Sequence, residues 1–199
     1  MIEPKTRKLS YSGARKKGSR FEYVIRDELI KLGIVAKRIP MSGALAWLKG
    51  DVGEFNVAQK HIHEAKNHEK LALPEWWRQA AEQVQNGETP VLHFRGNYHD
   101  SHTVMRATDF DDMVYDYEQK RPELTLNLID FPPRKDFWKW QTLNKTLGRD
   151  LYLWNLGGKT VEKIDMKGNK KVIHHPDEQL IIMSFELYLL IRKHSVTLV

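Results

Sequence analysis

Apolar residues in the first third of the chain recur at the spacing of an amphipathic helix. They run from Phe21 to Leu32 at intervals of three and four residues. Ser19 is suited to the N-cap of this helix, with Glu22 three residues later, and Gly33 is suited to its end. The pattern therefore predicts a first helix that begins at Ser19 and ends before Gly33.

Short apolar runs bounded by Gly, Pro and polar residues predict strands further along the chain. Strands are predicted at 34–39, twice within 50–66, at 90–95 and at 102–106, and further helices at 74–86 and 108–117. The resulting order is helix, three strands, helix, two strands, helix. This order is typical of an α/β domain with a central mixed sheet.

Residues 119–199 carry three further strand patterns, a hairpin pattern around KGNKK and a final helix pattern. Their order resembles that of residues 61–118, and Trp138-x-x-Gln141 repeats the spacing of Trp76-x-x-Gln79. The segment is either a degenerate half-repeat or a chance similarity. We expect a flexible basic arm at 1–18, a core at 19–118 and a C-terminal extension at 119–199.

Composition narrows the class of protein and its partners. The chain has 199 residues, 41% of them hydrophobic, which suits one domain with a smaller appendage. No apolar run reaches the roughly 20 residues of a membrane span, and no signal peptide is recognisable. The absence of cysteine excludes disulfides and thiolate metal sites. A cytoplasmic protein is expected.

The charge distribution favours a polyanionic partner. The net charge is +6, and basic residues are concentrated at the N-terminus. A solvated tail is the alternative interpretation of this run. The candidate residues for binding a polyanion, such as the phosphates of DNA, are Lys5, Arg7, Lys8, Arg15, Lys16, Lys17 and Arg20.

Charged residues occur where a buried strand is expected, in the segment GDVGEFNVAQKHIHEAK. Strand alternation places Glu64 and Lys66 on one face, and Asp51 at the start of the neighbouring strand can lie beside Glu64. Two carboxylates so close repel unless a cation lies between them, and hard oxygens suit Mg²⁺, with Mn²⁺ as a substitute. The Ala65 carbonyl could add a ligand. An exposed salt bridge on an edge strand is the alternative.

The arrangement Asp-x12-Glu-Ala-Lys resembles the core motif of the PD-(D/E)XK nuclease superfamily, with Gly50 in the place of the usual proline. The segment KKGSRFE at 16–22 resembles the start of archaeal-type Holliday junction resolvases, which are also found in phage. The resemblance covers residues 15–107. It implies an α/β fold with a restriction-endonuclease-like core and a central mixed sheet flanked by helices. Residues 119–199 are expected to form a C-terminal α+β extension, which the resemblance does not explain. A phage-encoded protein of this kind would be located in the host cytoplasm.

The resemblance also implies roles for residues outside the core motif. Glu22 would join the active site, although it could merely cap the helix. Ser42, in a Ser-Gly loop, would assist catalysis or serve only as a turn residue. Gln79 would complete the site as the glutamine on the helix after Glu-x-Lys, and Gln83 is the alternative for this role. The implied catalytic residues are Glu22, Ser42, Asp51, Glu64, Lys66 and Gln79, and the implied metal ligands are Asp51, Glu64, the Ala65 carbonyl and Glu22.

Two other patterns have alternative interpretations. His61 and His63 share a strand face and could belong to a zinc site, but no third ligand is evident and packing is favoured. Trp76 and Trp77 are adjacent on a helix, so one of them is predicted to lie at an interface rather than in the core. Trp47 could stack on an unpaired base or fill a dimer contact.

Together these features predict a Mg²⁺-dependent DNA endonuclease. The resemblance implies cleavage of branched four-way junctions by a homodimer with two active sites. The alternatives are a nicking or restriction-type nuclease of the same superfamily and a non-catalytic nucleic-acid-binding module. The intact Asp51, Glu64 and Lys66 argue against the last.

Overall fold

A computed structural model describes residues 11–39, 50–85, 87–97, 99–120, 128–130, 151–157, 159–164, 170–175 and 178–199. The helices in these ranges are α1 Tyr11–Lys31, α2 Leu73–Ala81, α3 Ala107–Lys120 and α4 Phe185–Ser195. The strands are β1 Ala36–Arg38, β2 Val52–Glu54, β3 Lys60–Asn67, β4 Glu88–Arg95, β5 His102–Arg106, β6 Leu128–Asp130, β7 Leu151–Leu156, β8 Lys159–Ile164, β9 Lys170–His175 and β10 Glu178–Ser184. Ser42, Trp47 and the basic residues Lys5, Arg7 and Lys8 lie outside the described residues.

Eight of the described strands form one mixed sheet, in the order β1-β2-β3-β4-β5-β10-β7-β6. β3 and β4 are parallel, as are β6 and β7, and the other neighbours are antiparallel. β8 and β9 form a separate antiparallel hairpin, as the pattern around KGNKK predicted. The predicted α/β class with a central mixed sheet is confirmed.

Alternate residues of the central strands enter two different cores. Val91, Met105 and Ile181 pack with α1, α3 and α4 on one face of the sheet. Leu92 and Val104 pack with α2 on the other face. Because both faces are covered, the central strands are apolar along almost their whole length. None of the described helices is long and apolar enough to cross a membrane.

The C-terminal elements continue the same sheet rather than leaving it. β10 pairs with β5, and β7 pairs with the far side of β10. α4 packs against α3 on the face that α1 also covers. The C-terminal residues therefore contribute to the same cores as the predicted nuclease segment.

The predicted start of the first helix is wrong. α1 begins at Tyr11, so Ser19 lies inside the helix instead of capping it. The Ser19 hydroxyl accepts a hydrogen bond from Arg38 Nη2 at 3.1 Å, and the Arg95 guanidinium lies 4.3 Å from the centre of the Phe21 ring. These contacts with two strands hold the middle of the helix, and a local capping signal does not reveal them.

The prediction that one of the two adjacent tryptophans lies at an interface is also wrong. Trp76 and Trp77 are only 8% and 0% exposed. Trp77 packs on the sheet and donates its Nε1 hydrogen to Glu178 Oε2 at 2.6 Å. Trp76 lies beside the His68 ring, with 5.4 Å between the ring centres. The residues that follow β3 thus cover the side of α2 that would otherwise be exposed.

Candidate active site

Asp51 is held by backbone contacts on two sides. Its amide donates to the His63 carbonyl at 2.8 Å, and its carbonyl accepts from the Ile39 amide at 2.8 Å. Its side chain reaches β3, where Oδ2 accepts from the Ala65 amide at 2.9 Å. The three bonds fix the Asp51 carboxylate beside the middle of β3.

Gly50 is needed where the superfamily motif usually has proline. Its φ angle is +84°, a conformation that favours glycine. A Cβ atom at this position would lie 2.5 Å from Ile62 Cγ2 and 3.3 Å from the His63 carbonyl oxygen. The backbone at Gly50 therefore packs directly against β3, and there is no space for a side chain at this position.

Gly50→Ala is expected to lower the free energy of unfolding by about 2–5 kcal/mol, because backbone strain and overpacking each cost roughly 1–3 kcal/mol. Gly87→Ala is the matched control, since Gly87 has the same φ of +84° but no atom within 4 Å of a Cβ. Chemical denaturation of both variants separates the steric cost from the backbone cost. Equal destabilisation by the two substitutions would contradict the close-approach argument.

Glu64 and Lys66 project from β3 toward α2. Lys66 Nζ donates to Glu64 Oε1 at 2.6 Å and to Gln79 Oε1 at 2.8 Å. Glu64 is only 4% exposed, and its Oε2 has no hydrogen-bond partner within the described part of the chain. Gln83 lies instead beside Gly50, where a Cβ would be 3.7 Å from its Oε1. Of the two glutamines, Gln79 is thus the one beside Lys66.

The electrostatics of the two carboxylates favour a cation. Burial and the neighbouring charge of Glu64 raise the pKa of Asp51 to about 7, against the opposing effect of the Ala65 amide. A divalent cation would offset this repulsion and would give the unpartnered Glu64 oxygen a ligand role. The donors therefore fit a hard metal such as Mg²⁺. In the described residues, however, no group of three His, Cys, Asp or Glu side chains is arranged to hold a metal.

Glu22 lies near this pair but has a partner of its own. Arg38 Nε donates to Glu22 Oε2, and this hydrogen bond raises the pKa of Arg38. The Glu22 charge also contributes to the raised pKa of Asp51, which places it in the same electrostatic environment. Its role as a metal ligand stays a prediction.

Sequence reasoning missed two arginines beside the site, Arg38 and Arg95, because their importance depends on where β1 and β4 end. Burial, together with the charge of Arg95, lowers the pKa of Lys17, with Glu69 opposing. Burial and the charges of Lys66 and Lys17 lower the pKa of His68. These mutual effects show that positive charges converge where β3 and β4 end.

Of the predicted DNA-binding residues, Lys16 and Arg20 are exposed on α1, Lys17 is half-buried, and Arg15 lies in α1.

The histidines on the opposite face of β3 take part in a buried hydrogen-bond network. His61 Nδ1 lies 2.8 Å from the Tyr188 hydroxyl, and His63 Nδ1 lies 2.9 Å from His93 Nε2. His93 Nδ1 in turn lies 2.9 Å from Thr103 Oγ1. These contacts support the packing interpretation of the His-x-His pair.

The network makes stability sensitive to acid. Burial lowers the pKa of His61 and His93 well below 6.5, so below that pH the unfolded chain binds protons that the folded chain does not. Each of these histidines therefore lowers the free energy of unfolding as the pH falls. Asp51 acts in the opposite direction below pH 7, because its pKa is raised in the folded state.

Between pH 6.5 and 5 the free energy of unfolding is therefore expected to fall as the pH falls, and to fall more steeply in Asp51→Asn, which lacks the opposing carboxyl group. Urea denaturation at a series of pH values measures both slopes. Stability that stays constant or rises as the pH falls through this window would contradict the assignment of neutral buried histidines.

A family profile described as "Phage putative PDDEXK endonuclease" matches residues 13–144, more than half of the chain. The chain belongs to this family. It is therefore a nuclease of the PD-(D/E)XK type with a restriction-endonuclease-like fold, as its core motif predicted. Nucleases of this type act on DNA and generally use divalent metal ions.

Other comparisons add little to the family assignment. No curated protein matches the chain. Among solved structures, the chain is similar to Hjc, a Holliday junction resolvase of Archaeoglobus fulgidus. The two chains are 20% identical over 44% of this chain and 70% of that one, with a TM-score of 0.32. The PDDEXK family assignment thus depends on the profile and on the motif.

Proposed function

We propose that this PDDEXK nuclease is a Mg²⁺-dependent endonuclease that hydrolyses phosphodiester bonds at branch points of DNA, with the four-way junction as its substrate. The observation that carries the proposal is the convergence of Asp51, Glu64 and Lys66 at one point of the sheet. One buried oxygen of Glu64 lacks a partner within the described residues. An ion pair that served only to stabilise the fold would not need this second carboxylate.

The residues of the site divide the chemistry between them. Asp51 and Glu64, with the Ala65 carbonyl, would hold Mg²⁺, and Mn²⁺ could substitute. When bound, the metal lowers the pKa of a water molecule and neutralises charge on the phosphate. Lys66, positioned by Glu64 Oε1 and Gln79 Oε1, orients the attacking water or stabilises charge on a phosphate oxygen. Water adds to phosphorus, and the departing oxygen takes up a proton and becomes a hydroxyl.

A branched substrate is supported by the residues of α1. The KKGSRFE segment that resembles archaeal-type resolvases lies in this helix, and its Glu22 is close enough to influence the Asp51 charge. Lys16 and Arg20 are exposed on the same helix. Such residues contact phosphates without reading sequence, so DNA shape rather than base identity would direct binding.

The proposal is tested with a four-way junction, a nicked duplex and a linear duplex of the same sequence, each with Mg²⁺ or with EDTA. We expect the junction to be cut near its branch point only with Mg²⁺, and the linear duplex to be cut far more slowly. Equal cleavage of all three substrates would identify a nuclease without junction preference. Binding without cleavage in Mg²⁺ or Mn²⁺ would identify a non-catalytic binding module.

A further inference from the structure

We infer that one chain of this protein contains both halves of a pseudo-dimer, with an active site in only one of them, and that it nicks a single DNA strand at each encounter. The nicking outcome rests on the proposed function, whereas the pseudo-dimer rests on the sheet alone. The first half is the run β3-α2-β4-β5-α3. The second half comprises the described elements β6, β7, β10 and α4, with the β8–β9 hairpin inserted before β10.

The centre of the sheet has two-fold pseudo-symmetry. β5 and β10 are antiparallel neighbours, and each strand passes without a loop into a helix. Val104 lies two residues before the end of β5 and Ile182 two residues before the end of β10, and these two residues pair directly. A two-fold axis through this pair therefore exchanges the two strands in register. The same axis relates α3 to α4, which pack against each other.

The symmetry extends outward to both sides. β4 and β7 flank the central pair in antiparallel orientation, and β3 and β6 lie parallel to β4 and β7. The order β3-β4-β5-β10-β7-β6 thus has the same pairing senses read from either end. A chance resemblance of sequence patterns does not account for two matched sets of strand pairings on either side of the β5–β10 pair.

The strand registers identify the counterpart of the catalytic glutamate. Leu92 pairs with Val104 as Tyr152 pairs with Ile182, so Leu92 and Tyr152 correspond. Glu64 pairs with Leu92 in the first half.

In the second half, Ile129 pairs with Tyr152, so Ile129 occupies the place of Glu64. The residue two positions later, which corresponds to Lys66, is Phe131 in the sequence. Trp138 and Gln141 follow Ile129 and precede Tyr152, as Trp76 and Gln79 follow Glu64 and precede Leu92.

The second half therefore lacks the chemistry of the first. An isoleucine cannot bind a metal, and a phenylalanine cannot supply the ammonium of Lys66. The segment between α3 and β6, residues 121–127, is also too short to repeat α1, β1 and β2, which bring Asp51 to the site. One chain thus has one set of catalytic groups.

Contacts of β10 and α4 with the first half and with β2 occupy the position beside β5 and α3 in the part of the chain that the structure describes. Arg192 of α4 pairs with the buried Glu54 of β2 at 2.5 Å. Tyr188 lies 2.8 Å from His61, and Glu178 of β10 accepts from Trp77. β10 and α4 therefore cover the edge of β5 and the side of α3. This arrangement replaces the homodimer that the resemblance to resolvases implies.

Sedimentation equilibrium at micromolar concentration tests the pseudo-dimer without reference to activity. The Glu64→Gln variant is used with and without a four-way junction, so that bound DNA is not cut. We expect a particle near the chain mass of 23.4 kDa alone and one chain on each DNA molecule. A particle of twice that mass, free or on DNA, would overturn the inference.

A supercoiled plasmid that extrudes a cruciform tests the nicking outcome with the unaltered protein. One cut relaxes the plasmid and reabsorbs the junction, which gives a nicked circle, whereas two coordinated cuts give a linear product. We expect nicked circles to accumulate, with at least tenfold less linear product in the first turnover. Linear product formed at the same rate as nicked circles would overturn the inference. Absence of any cleavage would defeat the proposed function, and the particle mass would still decide between pseudo-dimer and homodimer.

Discussion

Asp51→Asn is expected to reduce the rate of DNA cleavage by more than about a thousandfold, in the range that loss of a central catalytic group costs. Asparagine preserves the size of the side chain and can still accept the hydrogen bond of the Ala65 amide. The negative charge that would hold the metal is lost, and the repulsion of Glu64 is lost with it. Folding should therefore be preserved while metal binding is weakened.

The measurement is the single-turnover cleavage rate at saturating protein, with junction affinity measured separately in Ca²⁺ or EDTA. Affinity should change little, because the basic residues of α1 lie outside the carboxylate pair. Asp111→Asn, an exposed carboxylate on α3, is the matched control and should cut at the normal rate. An Asp51→Asn protein that cuts within tenfold of the native rate would remove Asp51 from the active site.

Glu54→Gln is expected to lower the free energy of unfolding by about 3–5 kcal/mol, the cost of leaving one partner of a buried ion pair alone. Glu54 is 2% exposed and accepts from Arg192 Nη2 at 2.5 Å and from the His61 amide at 3.1 Å. Burial alone would raise the pKa of Glu54, but the His63 hydrogen bond and nearby positive charge hold it well below its usual range. Glutamine would leave the guanidinium of Arg192 without a counter-charge.

Arg192→Met should cost a similar amount, and the double variant Glu54→Gln/Arg192→Met should cost less than the two single variants added together. Lys193→Met, an exposed neighbour on the same helix, is the control and should change stability by less than about 0.5 kcal/mol. Equilibrium denaturation measures all four variants. Additive losses in the double variant would show that the two residues do not act as a pair.

The effect of this pair on stability also bears on the pseudo-dimer. Glu54 belongs to β2, beside the active site, and Arg192 belongs to the final helix. Loss of either partner should therefore loosen the catalytic edge of the sheet together with the C-terminal helix. Native-state hydrogen exchange of amides in β3 and α4 would report this joint loosening.

Local pattern in the amino-acid sequence was enough to predict that Asp51, Glu64 and Lys66 lie close together. Glu64 and Lys66 are two residues apart, and side chains alternate along any strand, so their common face follows from backbone geometry alone. Asp51 and Glu64 are thirteen residues apart, which is enough for two short strands and a turn, so the two residues were predicted to lie on neighbouring strands. The strands, the helices and the hairpin around KGNKK could likewise be predicted, because each depends on the period of apolar residues within a short window.

Contacts between distant residues were decided only by the tertiary structure. Glu54 looked like an ordinary charged strand residue, and its buried ion pair exists because Arg192 reaches it from the last helix. The burial of both tryptophans likewise depends on partners from other elements. The sequence offered only a repeated order of elements, and the axis on which the proposed pseudo-dimer depends comes from the pairing of Val104 with Ile182. Sequence determines which backbone conformation each segment prefers, whereas strand partners and burial depend on packing free energy summed over the whole chain.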